Sequence, residues 1–466
     1  MSDIMKSIPF GQLTEWILNE YKKTGQVFGI QKAYVADQSK TIEIFGRKLE
    51  NPVGPAAGPH TQLAQNLVAA YVAGARFFEL KTVQKMDGQE LSACIPKPCI
   101  VAEEEAYNCE WSTELYVPQA MEEYIKGWIL IHVIAKEFGI GSPDGFQFNM
   151  SCGYNLEGIK DKKIDDFIEG LKDAGDTAIF KECKQWLLEH ISLFEHVTKE
   201  DVEAIPAKVC NSITLSTMHG CPPQEIENIV RYLLKEKHIN TYVKCNPTLL
   251  GYEFVRKAMD DLGYDYMAFT DFHFKDDLQY EDAVPMLKRL METAAQEGLS
   301  FGVKLTNTFP VDIKRQELPG EEMYMSGKAL FPLSISVASR LAESFDGKLP
   351  MSFSGGADQK NIDQIVDCGI WPVTVATVLL KPGGYKWMTK IAEKADSCEI
   401  GKCGEVQVET LKKLAEDSLT DAHYRKTGRK AAGKRTEEKS PLLDCLEKNG
   451  VGEKKEFTGH KRVCGN

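Results

Sequence analysis

The sequence predicts an α/β fold, a (β/α)8 TIM barrel with helices inserted between barrel strands and a short C-terminal extension. Three observations carry this reading. β-rich apolar runs alternate with amphipathic helical stretches along most of the 466 residues, which is the pattern of a parallel sheet whose crossovers are helices. The strand-like runs begin near Asn51, Arg76, Phe146, Ser212, Tyr242, Phe301, Met351 and Val373, and eight parallel strands can close on themselves. The last two end in small-residue turns, Gly355-Gly356 and Ala376-Thr377, where unpaired backbone N–H groups suit a phosphate.

Composition narrows the class. The chain is 43% hydrophobic and 27% charged, as in a soluble globular protein. A formal charge of −12 excludes a general nucleic-acid surface. The opening MSDIMKSIPFGQLTEWIL has no basic segment followed by an unbroken apolar run, so neither a signal peptide nor a spanning helix is expected. A cytoplasmic location away from membranes follows as the expectation. Thirteen cysteines, an odd number scattered through helices and strands, fit reduced thiols better than a disulfide framework.

In chain order, residues 1–44 read as a helix and a lead-in, and YVADQSKTIEIFGRKLENPVG as a short hairpin, leading into the first strand, that would close the barrel floor. Residues 45–395 hold the barrel. After NPVG comes the helix TQLAQNLVAAYVAGA, then ARFFELKTV, a loop, the helix QAMEEYIKGWILIHVIAKEFG and the strand GFQFNMS. About fifty residues of amphipathic helix then lead to Cys210, several times an ordinary crossover. NSITLSTM is the next strand, and Pro222 and Pro223 stand where a first helical turn tolerates proline. YDYMAFTDF is strand-like but is assigned to an inserted loop, which keeps the strand count at eight. Residues 396–466 form a cysteine-containing extension with a basic, partly flexible tail.

Chemistry in such barrels gathers at the C-terminal strand ends. Read in order, these carry Ala57-Gly58, Lys81-Thr82, Asn149 with Cys152, His219 with Cys221, Lys244 with Asn246, Asn307-Thr308, Gly355-Gly356 and Ala376-Thr377. Small residues on the first strand let a flat ring lie against backbone. Two lysines from separate strands can stabilise charge on a reduced ring, and the asparagines pair donors and acceptors with a planar amide-containing ligand. Taken singly, each residue has a bland role: a strand-end Lys is often solvated, and an Asn or Thr there often caps a helix.

NPVGPAAG, LKTV, YNCEW, VKCNPT, LTNT, MSGKALFPLSI and SFSGGADQ with VATVLL resemble the motifs of the dihydroorotate dehydrogenase and dihydropyrimidine dehydrogenase family of FMN barrels. The resemblance covers roughly residues 45–395. STMHGCPPQEIE, VKCNPTLLGYEF and VKLTNTFPV are more closely similar to flavin subunits provisionally named selenate reductases in purine-degradation gene sets. The resemblance implies FMN, with its phosphate at Gly355, Gly356, Ala376 and Thr377 and its ring near Ala57, Gly58 and Thr82. Lys81 and Lys244 would face the pyrimidine edge, with Lys304 a rival for Lys244. Asn108, Asn149, Asn307 and Thr308 would meet the substrate. It further implies that an iron–sulfur cluster and FAD or NAD(P) belong to an electron-transfer partner or to a C-terminal module beyond this chain.

Family members move a proton with a Cys in Asn-x-Ser-Cys-Pro on the fourth strand. Here NMSC at 149–152 lies on the third strand and runs into Gly153, while the fourth offers STMHGCPP. The candidates in order are Cys221, Cys152 and His219, because a Cys at a helix start is better placed to ionise than one inside a strand. Cys398, Cys403, Cys445 and Cys464 have spacings that fit no standard cluster, so no metal is expected in this chain.

The expected function is an FMN-dependent oxidoreductase acting on a CH–CH or C=N bond of a pyrimidine- or purine-like heterocycle. Two alternatives stand beside it: a non-catalytic electron-relay or assembly subunit, and a phosphate-binding barrel using Lys81 or Lys244 for a Schiff base. Homo-oligomerisation is open.

Overall fold

The architecture is that of a computed structural model, which describes residues 5–427 except positions 38, 110, 111 and 218. The expectations for Cys445, Cys464 and the basic tail lie outside the described residues. The barrel belongs to the unit that runs to Arg425.

Eight parallel strands form one sheet: β1 Val53–Pro55, β2 Phe77–Glu79, β3 Gln147–Cys152, β4 Cys210–Leu215, β5 Asn240–Cys245, β6 Phe301–Leu305, β7 Met351–Phe353 and β8 Val373–Val375. The hydrogen-bonded order is β1-β8-β7-β6-β5-β4-β3-β2, so each strand beyond the seam neighbours its predecessor in sequence. Each predicted strand is present within about two residues of its expected start. Between β1 and β2 the ring is nearly closed, and the Arg76 N–H donates to the Val53 carbonyl at 2.9 Å. The approach is so tight that a Cβ on Gly54 would lie 1.7 Å from the Phe77 carbonyl oxygen, which is why only glycine fits there. Arg76 and Glu50 form a buried ion pair beside this seam, and the guanidinium also donates to the carbonyls of Tyr71, Ala75 and Ile140.

Helices cover the outside because their apolar residues recur on one face. In Pro223–Lys235, Ile226, Ile229, Val230 and Leu233 are buried at i, i+3, i+4 and i+7. The helix starts at Pro223, where a missing N–H costs nothing. The long β3–β4 connection resolves into the helices Leu156–Ile159, Lys162–Lys172, Ala178–Glu189 and Lys199–Ala204.

The predicted hairpin pairs Ile42–Ile44 with Arg47–Leu49. Its turn residues Phe45 and Gly46 both have positive φ, as a two-residue hairpin turn of primed type requires. Gln147 donates to the carbonyls of Ile44, Arg47 and Lys48, and Ile44 and Leu49 pack on Phe77 and Trp371 at the N-terminal end of the barrel.

At the opposite end lies an antiparallel four-stranded sheet that is not among the predicted strands. Its order is Phe309–Asp312, Glu322–Ser326, Ala106–Asn108, Ile100–Ala102, assembled from insertions after β2 and β6. YDYMAFTDF forms no ladder strand, as expected, and meets this sheet through a bridge from Ala268 to Asp312 and an edge-on contact of Phe269 with Phe309 at 4.9 Å. Past the barrel, Val408–Ser418 packs along Phe331–Ser344, and Tyr424 stacks on Phe331 at 4.6 Å. Among the described residues no helix is long and apolar enough to cross a membrane.

Candidate active site

A cavity of about 560 Å³ opens at the C-terminal ends of the barrel strands beneath the four-stranded sheet, within the range of small-molecule sites. Its deepest charged group is Glu79 at the end of β2, 1% exposed. Lys304 of β6 pairs with it at 2.8 Å and also donates to Thr374 and Ser352 on β8 and β7. Thr214 and Thr374 donate to the same carboxylate. Burial alone would raise the Glu79 carboxyl, but the ammonium groups of Lys304 and Lys244 outweigh it and hold Glu79 below its usual range. Burial pushes Lys304 down to about 8 although Glu79 opposes the shift. Lys304 therefore acts as part of the floor. Lys244 stands opposite it in the β5–β6 register and lines the cavity.

The predicted rim converges. Ala57, Gly58, Lys81, Thr82, Asn108, His219, Lys244, Asn307, Thr308, Gly355, Gly356, Ala376 and Thr377 all line the cavity. Thr82 shares a hydrogen bond with Ser151 at 2.8 Å, and the Lys81 carbonyl accepts from Tyr124 at 2.9 Å. Asn149 lies below the lining and donates to Thr214 at 2.8 Å, so it supports the Glu79 network. Cys152 is fully buried in β3, and burial pushes its thiol up to about 12. Cys221 is partly exposed and not among the lining residues.

His219 stands differently. Its Nδ1 is 2.8 Å from Asp277 Oδ2. The carboxylate of Asp277 also accepts from the Gly220 N–H, Asn246 and Thr248 at 2.7–3.1 Å. Burial would raise Asp277, but His219 and these donors hold it below the usual carboxylate range. Above the imidazole, Tyr324 of the mouth sheet stacks at 5.7 Å, with His273 at 5.4 Å edge-on and itself bonded to Glu322. Asn246 further accepts from Asn307 at 2.7 Å, so one network ties β5, β6 and the loop of Asp277 together.

The other end of the cavity suits an anion. A Cβ on Gly355 would lie 1.8 Å from Ser334 Oγ, and one on Gly356, whose φ is +80°, would meet the Gly327 carbonyl at 2.5 Å. Both glycines thus bring bare backbone to the cavity wall. Thr377 and Ser326 share a hydrogen bond at 3.0 Å, and Lys328, Lys360 and Lys381 line the same end. Ser112 and Gln359 line the cavity as well, and each keeps a buried side-chain oxygen without a hydrogen-bond partner among the described residues. Such atoms are expected to meet a ligand or water. The cavity wall thus combines a glycine cradle and three lysines with Lys81, Lys244 and the Glu79 carboxylate.

Sequence reasoning placed Asn246 on the rim but missed Glu79, Asp277 and the mouth-sheet residues Glu322 and Tyr324. A charged residue inside the apolar run FFELKTV was a usable signal for Glu79. Asp277 had none, because its partner lies 58 positions away.

The structure of DHODH from Eimeria tenella in complex with ferulenol aligns with a TM-score of 0.47 and 14% identity, over 89% of this chain and 94% of that one. The ligand-free structure of the same protein gives 0.48 and 14%, over 82% and 93%. The "Putative oxidoreductase YgfK" of Escherichia coli K12 is 46% identical over 459 residues, and so is that of strain O157:H7. The alignments take in 96% of this chain but 44% of the relatives, so the chain spans less than half of their length. The family described as "Oxidoreductase YgfK, N-terminal TIM-barrel domain" matches residues 28–426, and the chain belongs to that family.

Proposed function

We propose that this barrel is a flavin-dependent oxidoreductase module that binds FMN and acts on a CH–CH or C=N bond of a carbonyl-bearing nitrogen heterocycle. The observation that carries the reading is the cavity itself, lined by Glu79, Lys81 and Lys244 over the buried Glu79–Lys304 pair and by the Gly355-Gly356 cradle. When bound, the flavin supplies a centre that takes up or releases a hydride. Gly355, Gly356, Ala376 and Thr377 hold its phosphate, and Ala57 and Gly58 leave room for its ring. Lys81 and Lys244 would put positive charge beside such a ring, which would favour its reduced form.

Asn108, Asn307 and Thr308 orient the heterocycle through its amide-like edges. His219 moves the proton at Nε2: Asp277 engages Nδ1 and fixes the ring, leaving the other nitrogen for the substrate. His219 is preferred to Cys221 and Cys152 because it alone of the three lines the cavity. Electrons are exchanged with an iron–sulfur or FAD partner outside these residues, in keeping with relatives more than twice as long.

The test is purification of the protein and quantification of released FMN. Less than a tenth of an equivalent after reconstitution would refute the cofactor. Anaerobic mixing of the flavin-loaded, dithionite-reduced protein with uracil, orotate, urate and xanthine then reads the substrate class. Reoxidation by none of them refutes the heterocycle.

A further inference from the structure

The sheet over the barrel mouth carries two cysteines in facing positions. Ile100 pairs with Asn108, Val101 with Tyr107 and Ala102 with Ala106 in antiparallel register. One step further along both strands, the Cys109 N–H donates to the Cys99 carbonyl at 2.9 Å, so Cys99 and Cys109 face each other on one side of the sheet. Facing antiparallel residues have Cα atoms about 4.5–5.5 Å apart, inside the ~4.4–6.8 Å span that a disulfide bridges. Both thiols are reduced here. Cys99 lines the cavity and is partly exposed, whereas Cys109 is buried. An oxidant arriving through the cavity therefore meets Cys99 first and finds Cys109 directly behind it.

We propose that Cys99 and Cys109 form a reversible redox-active disulfide at the cavity rim, with a low-molecular-weight disulfide such as oxidised glutathione as the oxidant. The Cys99 thiolate attacks one sulfur of the small disulfide, forming a mixed disulfide and expelling one small thiolate. Cys109 then attacks the Cys99 sulfur, forming the Cys99–Cys109 bond and expelling the second. Two electrons pass from the cysteine pair to the small disulfide, and the two cysteine protons leave with the two released thiols. Burial pushes the Cys109 thiol up to about 11, with Cys99 beside it adding to the shift, and burial raises Cys99 as well, so both steps quicken as pH rises. The closed bond staples the strand that ends in Asn108 to its edge neighbour. This inference does not rest on the flavin reading.

The experiment uses the full chain in native buffer with oxidised glutathione, followed by maleimide blocking and peptide mass mapping. The expected product is a Cys99–Cys109 linked peptide, two hydrogens lighter than the free pair and restored by dithiothreitol. In Cys109→Ser the glutathione adduct on Cys99 should persist at high yield, because nothing resolves it. Circular dichroism matching the wild type confirms that this variant is folded. A stable Cys99 adduct in the wild type, linkage of Cys99 to the exposed Cys94, or absence of oxidation at Cys99 would each overturn the proposal.

Discussion

Substituting Glu79 with glutamine removes a carboxylate that is 2.8 Å from Lys304 with both side chains almost wholly buried. Glutamine keeps the size of the group and can still accept from Thr214 and Thr374, so what changes is mainly charge. Removing one partner of a buried pair costs ~3–5 kcal/mol, because the other is left uncompensated. An independent ceiling agrees: Lys304 escapes by losing its proton, which at pH 7 costs ~4.6 kcal/mol for a lysine of ordinary pKa. A loss of ~3–5 kcal/mol at pH 7 is therefore expected in urea unfolding with unchanged m.

The pH dependence makes the test sharper. Folded Lys304 sits near 8, below its unfolded value. Between those values the unfolded chain holds more protons, so stability rises with pH across that window. Without Glu79 the folded pKa falls further and the window opens earlier. The variant thus gains more than the wild type between pH 7 and 9, and its deficit should narrow by about 1 kcal/mol. A loss below ~1 kcal/mol at pH 7, or a deficit that widens at pH 9, would refute the assignment of this pair. Replacing both residues, Glu79→Leu with Lys304→Met, should recover most of the stability.

Other consequences are directly measurable. Gly355→Ala forces a Cβ onto Ser334, and a loss of ~1–3 kcal/mol in unfolding together with lost FMN retention is expected; a variant that binds flavin normally would contradict the cradle. On the heterocycle identified by the screen, His219→Ala should slow turnover ~10²–10⁴-fold while Cys221→Ser keeps most of the rate, and the reverse ranking would transfer the proton role to the thiol. Arg76→Ala leaves Glu50 buried without its partner at the β1–β2 seam, so unfolding should become easier by ~3–5 kcal/mol; a melting temperature within a degree of the wild type would show that the seam does not need it.

Much of the barrel was legible because strand and helix periods are local properties. GFQFNMS, NSITLSTM and PMSFSGG read as buried parallel strands without any knowledge of their partners. The floor hairpin was legible in the same way, from the stretch that leads into the first strand. The mouth sheet was not legible, since each of its strands is three to five residues long and its two hairpins meet only through a pairing more than two hundred positions apart, Tyr324 with Asn108. Lys304 was a rival for the role given to Lys244, since both follow Val on a strand. They sit side by side in register, and the difference arises because Lys304 points into the barrel interior to pair with Glu79 and donate to Ser352 and Thr374, while Lys244 lines the cavity.

By itself the sequence determined the ring, its floor and the small residues at its phosphate end, all of which follow from short-range pattern and backbone freedom. Tertiary structure alone decided which charged groups are buried, that His219 rather than Cys221 faces the cavity, and that Cys99 meets Cys109. Those outcomes depend on distances between segments far apart in the chain, and desolvation and pairing act only once folding has brought them together.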